Sequence, residues 1–284
     1  MGLPGYDCQL SSFHQAFEGE LRAIIASLPL APGMRVLDLA CGDGFYARRM
    51  ARGNPACLIT GADLDPAYLA KAKMRSKGIE FVRASFDQLP FRDDSFDLVW
   101  CAQSLYSLPD PVVALQHMAR VLKPGGVVAV LENDTLHTAL LPWPASLELP
   151  LRTAELRSFQ QGSRPGRFYV GRRLPAVLAE AGFEPGKLTT YAFDRQAPLG
   201  EAEQRLLATY FQDIEQRITS HLEPVLLQRL RELIDPASSN YLLHQPHFSM
   251  TWVSVLALGR KPSVGDKKSP RGQVYRSFTF SSGS

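Results

Sequence analysis

Val36-Leu37-Asp38-Leu39-Ala40-Cys41-Gly42-Asp43-Gly44, followed by Phe45-Tyr46-Ala47-Arg48, decides how this chain is read. Its apolar start has the character of a short buried strand that runs straight into a glycine loop, and a helix begins at Phe45. Glycine at 42 and 44 lets the backbone turn tightly with no Cβ in the way, so a ligand can approach the main chain. The free N–H groups of the following helix point into the same space. Asp38, near the end of the strand, adds a carboxylate there. That charge suits a ligand carrying an amine better than one carrying a pyrophosphate.

Outward from this point the pattern alternates. Strands are expected at Leu58–Asp63, Ile79–Val82, Phe96–Trp100 and Val127–Leu131. Helices are expected at Tyr68–Lys77, opened by Asp65-Pro66, and after Asp110-Pro111, each Asp serving as N-cap with Pro in the first turn. Lys123-Pro124-Gly125-Gly126 stops the second of these. Strand and helix in alternation give a parallel sheet covered on both faces. Ahead of it, Phe17, Leu21, Ile24, Ile25 and Leu28 recur at helical spacing and predict one N-terminal helix over His14–Leu28. Beyond it, residues 133–170 resist assignment. Helices are expected at Arg172–Ala181, Glu201–Ser220 and Pro224–Leu233, and strands at Leu188–Phe193 and Phe248–Leu258.

The chain has 284 residues, 45% apolar and 21% charged, with a formal charge of +3. Six of its basic residues and one acid lie between Arg260 and Ser284, which leaves about 25 basic against 27 acidic residues in the body. A protein that binds nucleic acid through phosphates shows a broad basic surface, so the composition argues against a nucleic-acid partner. Four cysteines (Cys8, Cys41, Cys57 and Cys101) without paired spacing argue against a disulfide framework or a metal site and fit a reducing, cytoplasmic setting. No apolar run reaches membrane-spanning length, and no signal-peptide pattern opens the chain.

The loop alone is ambiguous. Gly42-x-Gly44-x-x-Ala47 also fits the dinucleotide-binding fingerprint, and Asp63 stands where an acid would accept hydrogen bonds from ribose hydroxyls. Three further features narrow the choice: Asp38 before the loop; Ala84-Ser85-Phe86-Asp87-Gln88-Leu89-Pro90-Phe91 ahead of Asp93-Asp94-Ser95-Phe96-Asp97-Leu98-Val99; and Val121-Leu122-Lys123-Pro124-Gly125-Gly126. In this order and spacing the chain resembles the class I S-adenosylmethionine-dependent methyltransferases, in the branch that includes the ubiquinone- and menaquinone-biosynthesis enzymes. The resemblance covers Met34 to Leu131 and resumes more weakly at Arg172–Phe183.

That resemblance implies a doubly wound, Rossmann-like α/β fold. Its seven-stranded sheet would be mostly parallel with the last strand antiparallel, preceded by an N-terminal helix and carrying a helical lid in its C-terminal half. The expected organisation is an N-terminal segment 1–33, a methyltransferase domain 34–260 with lid insertions at 133–170 and 195–247, and a disordered basic tail 261–284. The cofactor implied is S-adenosylmethionine. Asp38 and the main chain of Ala40, Cys41, Gly42, Asp43 and Gly44 would hold its methionine end. Asp63 would bind the ribose hydroxyls, with Leu64 against the adenine and Ser85 and Phe86 at the adenine edge. Ser85 departs from the family, which usually has Asp there. Gln103, after the fourth strand, would contact the methionine arm.

A sulfonium is already a good leaving group, so the protein must mainly place the acceptor in line and keep out water. A base is needed only for a protonated acceptor such as a hydroxyl. Tyr106 and His14 are the candidates for a substrate-side group; Glu132 and His137 come behind them. The expected acceptor is a small molecule, apolar or aromatic. Trp143, Phe159, Phe168, Tyr169 and Tyr191 offer either an acceptor pocket or the core of a lid. Arg164, Arg167, Arg172 and Arg173 offer either an anion clamp or a solvated face. The stripe Leu206, Leu207, Tyr210, Phe211, Ile214 and Ile218 reads as a buried lid face or as a homodimer contact. Two other functions stay open on these residues: an NAD(P)-dependent oxidoreductase on a similar sheet, and a non-catalytic binding protein that keeps the fold.

Overall fold

All five strands expected between Met34 and Leu131 form, and the glycine loop leaves the first of them. In the computed structural model, which describes residues 6–133, 138–160 and 170–263 (side chains from residue 10 onward), these are β1 (Arg35–Leu39), β2 (Leu58–Asp63), β3 (Glu80–Arg83), β4 (Phe96–Ala102) and β5 (Leu122–Asn133). They pair in parallel in the order β3-β2-β1-β4-β5. Every loop that leaves a C-terminal strand tip therefore opens on one edge of the sheet, and the order reverses direction between β1 and β4. The helices that return the chain are α3 (Phe45–Gly53), α4 (Pro66–Arg75) and α5 (Pro111–Val121). Their starts are fixed by the side chains the sequence pointed to. Asp65 accepts a hydrogen bond from the Ala67 N–H at 2.8 Å, and Asp110 accepts from those of Val112 and Val113 at 2.9 and 3.1 Å.

The second half adds α6 (Ala145–Gln160), α7 (Val170–Glu180), α8 (Glu201–Ile218) and α9 (Pro224–Ile234), with strands β6 (Ala139–Leu140), β7 (Glu184–Gln196) and β8 (Ser249–Arg260). Strand β8 is antiparallel to β5, as expected for the last strand, and pairs with β7 along its other edge. The sheet has eight strands, not seven. The extra one is the two-residue β6, which pairs with Thr251 and Trp252 just past the part of β8 that β5 occupies. A strand of that length carries no periodicity, so only the register along β8 reveals it.

Two apolar layers cover the sheet. On one face α3 and α4 pack together with two N-terminal helices, α1 (Tyr6–Ala16) and α2 (Glu18–Ala26); on the other lie α5 and α7. The single N-terminal helix expected from the apolar spacing is broken at Phe17, whose side chain is wholly buried against Phe13, Phe193 and Trp252. The α8 stripe from Leu206 to Ile218 is buried within the chain, so it is not a surface for a second copy. Trp143 and Phe159 are buried too, with Trp143 edge-on to Phe211 and the Arg217 guanidinium over Phe159. Trp143 belongs to the main apolar core, and Phe159 packs beneath Arg217, so both serve packing. Tyr191 faces Ser27 at the end of α2, and Arg172 and Arg173 are exposed on α7. His137, Arg164, Arg167, Phe168, Tyr169 and most of the basic tail (264–284) lie outside the described residues.

Candidate functional site

The tips of β1, β2, β4 and β5 bring most of the singled-out residues to one edge. Register places Leu39 beside Ala62 and Cys101, and Cys101 beside Val130. The loop after β1 is sharply coiled: Ala40, Gly42 and Gly44 have φ of 59°, 52° and 77°. These glycines serve different ends. At Gly42 an added Cβ would meet only Leu10 of α1, at 3.6 Å, so the constraint there is the left-handed backbone. At Gly44 it would press on Phe81 at 3.0 Å and Ala72 at 3.2 Å, so close packing forbids it as well. Asp43, just ahead of the Gly44 N-cap of α3, accepts from the Phe45 N–H at 3.1 Å and pairs with Arg75.

Asp63, at the tip of β2, accepts a hydrogen bond from the Gly42 N–H at 2.8 Å through one oxygen and from the Asp65 N–H at 2.9 Å through the other. It therefore braces the loop as well as presenting a carboxylate beside it. Partial burial raises its pKa, against the pull of those N–H groups. Leu64 beyond it is 58% exposed, an apolar surface without a cover of its own.

Asp38 is almost fully buried beneath the loop, and its Oδ2 has no hydrogen-bond partner. Burial, helped by the nearby carboxylates of Asp63 and Asp43, raises its pKa to about 8 despite the Ala47 N–H. A buried carboxyl oxygen left unmatched at the foot of a main-chain cradle is what a cationic ligand group would complete. The residues present thus fit an adenosyl amino acid, with Asp38 toward its ammonium and Asp63 toward its ribose.

On the β4 side Gln103 is mostly buried and sits at φ 51°, its N–H donating to the Leu131 carbonyl at 2.7 Å. It leads into a short 3₁₀ turn, Leu105–Ser107, that carries Tyr106. Glu132, which sequence reasoning ranked behind Tyr106 and His14, organises this turn. Its Oε1 accepts from the N–H groups of Ser104 at 2.8 Å and Leu105 at 2.6 Å, with that of Tyr106 also directed at it. Full burial raises its pKa to about 8. The signal was present: an acid closing the all-apolar run Val127–Leu131 is buried with that strand and must find donors. Cys101 lies between the two strand-tip acids, and burial and both carboxylates hold its thiol protonated. Ser85 spends its Oγ as an acceptor for the Asp87 N–H at 3.3 Å, and Phe86 packs against the apolar layer beside it.

His14 arrives from α1. It is buried and stacked on Phe45 at 3.8 Å between ring centroids, 11° from parallel, with its Nε2 lacking a hydrogen-bond partner. Burial and the nearby Arg49 and Arg48 lower its pKa to about 3, so the ring is neutral. Among the described residues, no group of three or more His, Cys, Asp or Glu side chains could hold a metal ion, and no helix is long and apolar enough to cross a membrane.

Residues 37–130 match the family model described as a methyltransferase domain. A 27-O-demethylrifamycin SV methyltransferase of Amycolatopsis mediterranei is 29% identical over 248 residues, 84% of this chain and 86% of that protein. A phthiotriol/phenolphthiotriol dimycocerosates methyltransferase of Mycobacterium tuberculosis is 35% identical over 54% of this chain and 60% of its own length. Among solved structures, the YcgJ protein of Bacillus subtilis is similar with a TM-score of 0.56 at 17% identity, covering 87% of this chain and 100% of that one. A [4+2]-cyclase gives 0.51 at 23% identity, covering 86% and 81%. At such identities these structures speak for the fold alone, and the cyclase shows that the fold does not dictate the reaction.

Proposed function

The chain belongs to the class I S-adenosylmethionine-dependent methyltransferases, and on that footing we propose that it methylates a hydroxyl group of a large, mainly apolar small molecule. The observation that carries this reading is the pairing of a buried, unmatched Asp38 oxygen with the braced loop and Asp63 at neighbouring strand tips. Support for the acceptor comes from the relatives' names, which specify 27-O-demethylrifamycin SV and phthiotriol or phenolphthiotriol dimycocerosates.

S-adenosylmethionine supplies a methyl group already activated on a sulfonium. What remains for the protein is placement. Asp38 and the main chain from Ala40 to Gly44 hold the amino-acid end, Asp63 the ribose, and Leu64, Ser85 and Phe86 the adenine. Gln103 contacts the methionine arm, and Tyr106 lines the acceptor side. A hydroxyl acceptor must lose its proton. His14, neutral but with a pKa of about 3, is a weak base. We therefore assign His14 to covering the loop and Tyr106 to orienting the acceptor. The same reading makes the protein a cytoplasmic enzyme, consistent with free cysteines at 41, 57 and 101, and one without a nucleic-acid substrate.

Incubation with methyl-labelled S-adenosylmethionine and a panel of hydroxylated macrocycles, polyketide-type phenols and long-chain alcohols tests the proposal. We expect label on an oxygen of at least one of them. Label appearing only on nucleic acid or protein, or no transfer at all by a chain that binds S-adenosylhomocysteine, would contradict it.

A further inference from the structure

A buried acid without a counter-ion is costly, and a folded protein keeps one where it satisfies something else. Glu132 is completely buried at the tip of β5, with no cation against it among the described residues, and spends its Oε1 on consecutive main-chain N–H groups of the turn after β4. The same turn begins at Gln103, in the left-handed region at φ 51°, a conformation disfavoured for a residue with a side chain. Ser104 adds a bond from its Oγ to the Ala102 carbonyl at 2.8 Å. An apolar residue at 132 would leave the Ser104 and Leu105 N–H groups without their acceptor, so that the turn after Gln103 would be held at its start alone, by the Gln103 N–H on the Leu131 carbonyl.

We infer that Glu132 is a positioning residue for methyl transfer: its carboxylate locks the Ser104–Tyr106 turn, so that Gln103 is presented to the donor and Tyr106 to the acceptor. The inference rests on the methyltransferase reading and adds to it a residue that touches neither partner of the reaction. It mirrors the tip of β2, on the far side of β1 and β4, where Asp63 holds the loop after β1 through the Gly42 N–H. In both places a carboxylate on one strand fixes the turn that follows the adjacent strand. The difference is exposure. Asp63 also reaches the site, whereas Glu132 is fully buried behind the turn, with its Oε2 lacking a hydrogen-bond partner.

The test uses the full chain, S-adenosylhomocysteine calorimetry and steady-state kinetics with whichever acceptor turns over. Glu132→Gln keeps an oxygen in the place of Oε1, and both affinity and kcat should stay within about threefold of the unmodified protein. Glu132→Ala should weaken S-adenosylhomocysteine by about tenfold and lower kcat by at least as much, with faster hydrogen exchange at the Ser104 and Leu105 amides. As a control, Glu155→Ala removes another fully buried acid, one that pairs with Arg152 and Arg217 in the lid. It should lower the melting temperature while leaving donor affinity unchanged, which separates positioning from stability. If Glu132→Ala does not fold, Glu132→Asp takes its place, since it keeps the charge but falls one methylene short; weakened donor binding supports the inference and unchanged binding overturns it. Donor binding by Glu132→Ala equal to the unmodified protein, or Glu132→Gln no better than Glu132→Ala, also overturns it. If the unmodified chain does not bind S-adenosylhomocysteine, the family reading falls first and the inference with it.

Discussion

The tips of β1 and β2 and the tips of β4 and β5 solve one problem in two ways. Each pair holds a turn that enters the left-handed region. On the first side, glycine carries much of the coil and Asp63 uses one oxygen for Gly42 and the other for Asp65. On the second side there is no glycine: Gln103 adopts φ 51°, and one oxygen of Glu132 takes both the Ser104 and Leu105 N–H groups. The first arrangement leaves charge at the site. The second buries its carboxyl group completely, behind the turn. Similar chemistry at adjacent tips thus does different work according to which oxygens are committed and what water reaches.

Isosteric removal of charge sharpens this contrast most. Asp63→Asn must turn one of its two committed oxygens into an NH₂ group facing an N–H donor. Loss of that bond, the repulsion and the loss of a charged ribose partner should together weaken S-adenosylhomocysteine by roughly 30- to 100-fold, a few kcal/mol. Glu132→Gln, with one oxygen committed, should be nearly silent. Calorimetry on the two variants side by side checks the difference, and equal effects would erase it.

Asp38→Asn comes next. The donor's ammonium would lose a charged partner, so affinity should fall by about tenfold at pH 8. Asp38 has its folded-state pKa raised from 3.8 to about 8. The unfolded chain therefore holds fewer protons between these values, and the burden on stability grows as pH rises through that window and is complete above about 8. Without donor, the melting temperature of Asp38→Asn should match the unmodified protein near pH 4 and exceed it at pH 8. Binding of the ammonium expels the Asp38 proton, so donor affinity should fall as pH drops below about 8, and this dependence should flatten in the variant. Titrations in buffers of different ionisation enthalpy would show the released proton.

Ser85→Asp should have the smallest effect. It offers a charged acceptor for the adenine's exocyclic amine in place of a hydroxyl already engaged with the Asp87 N–H. A gain in donor affinity of about three- to tenfold is expected. No gain, with the fold intact, would show that the adenine does not sit there.

The first side of the comparison was legible from residues alone. Glycines in a loop, Asp before Pro at a helix start and an acid at a strand end are local signals, and α4 and α5 begin where Asp65 and Asp110 said they would. Helices α7, α8 and α9 and strands β7 and β8 also form where their spacing predicted them, but other parts were not legible, for physical reasons. Helix α6 carries Pro150 within it and an apolar face that does not stand out, because it buries Glu155 beside Leu147, Leu151 and Phe159. That burial is stabilised by Arg152 from its own helix and Arg217 from α8, a long-range pairing no spacing rule announces. The break at Phe17 interrupts a periodicity that runs on either side of it. Trp143 and Phe159 read equally well as pocket or core, and only their burial shows that both are packed. Glu132 was undervalued because a lone acid at a strand end gives no hint of which N–H groups it will meet.

The measurement that tests the central claim most directly is a structure of the chain with S-adenosylhomocysteine bound. The account predicts its ammonium within hydrogen-bond distance of Asp38 Oδ2, its ribose hydroxyls on Asp63, and its sulfur facing Gln103 and Tyr106. An adenosyl group bound elsewhere, or at these tips with Asp38 still without a partner, would contradict it.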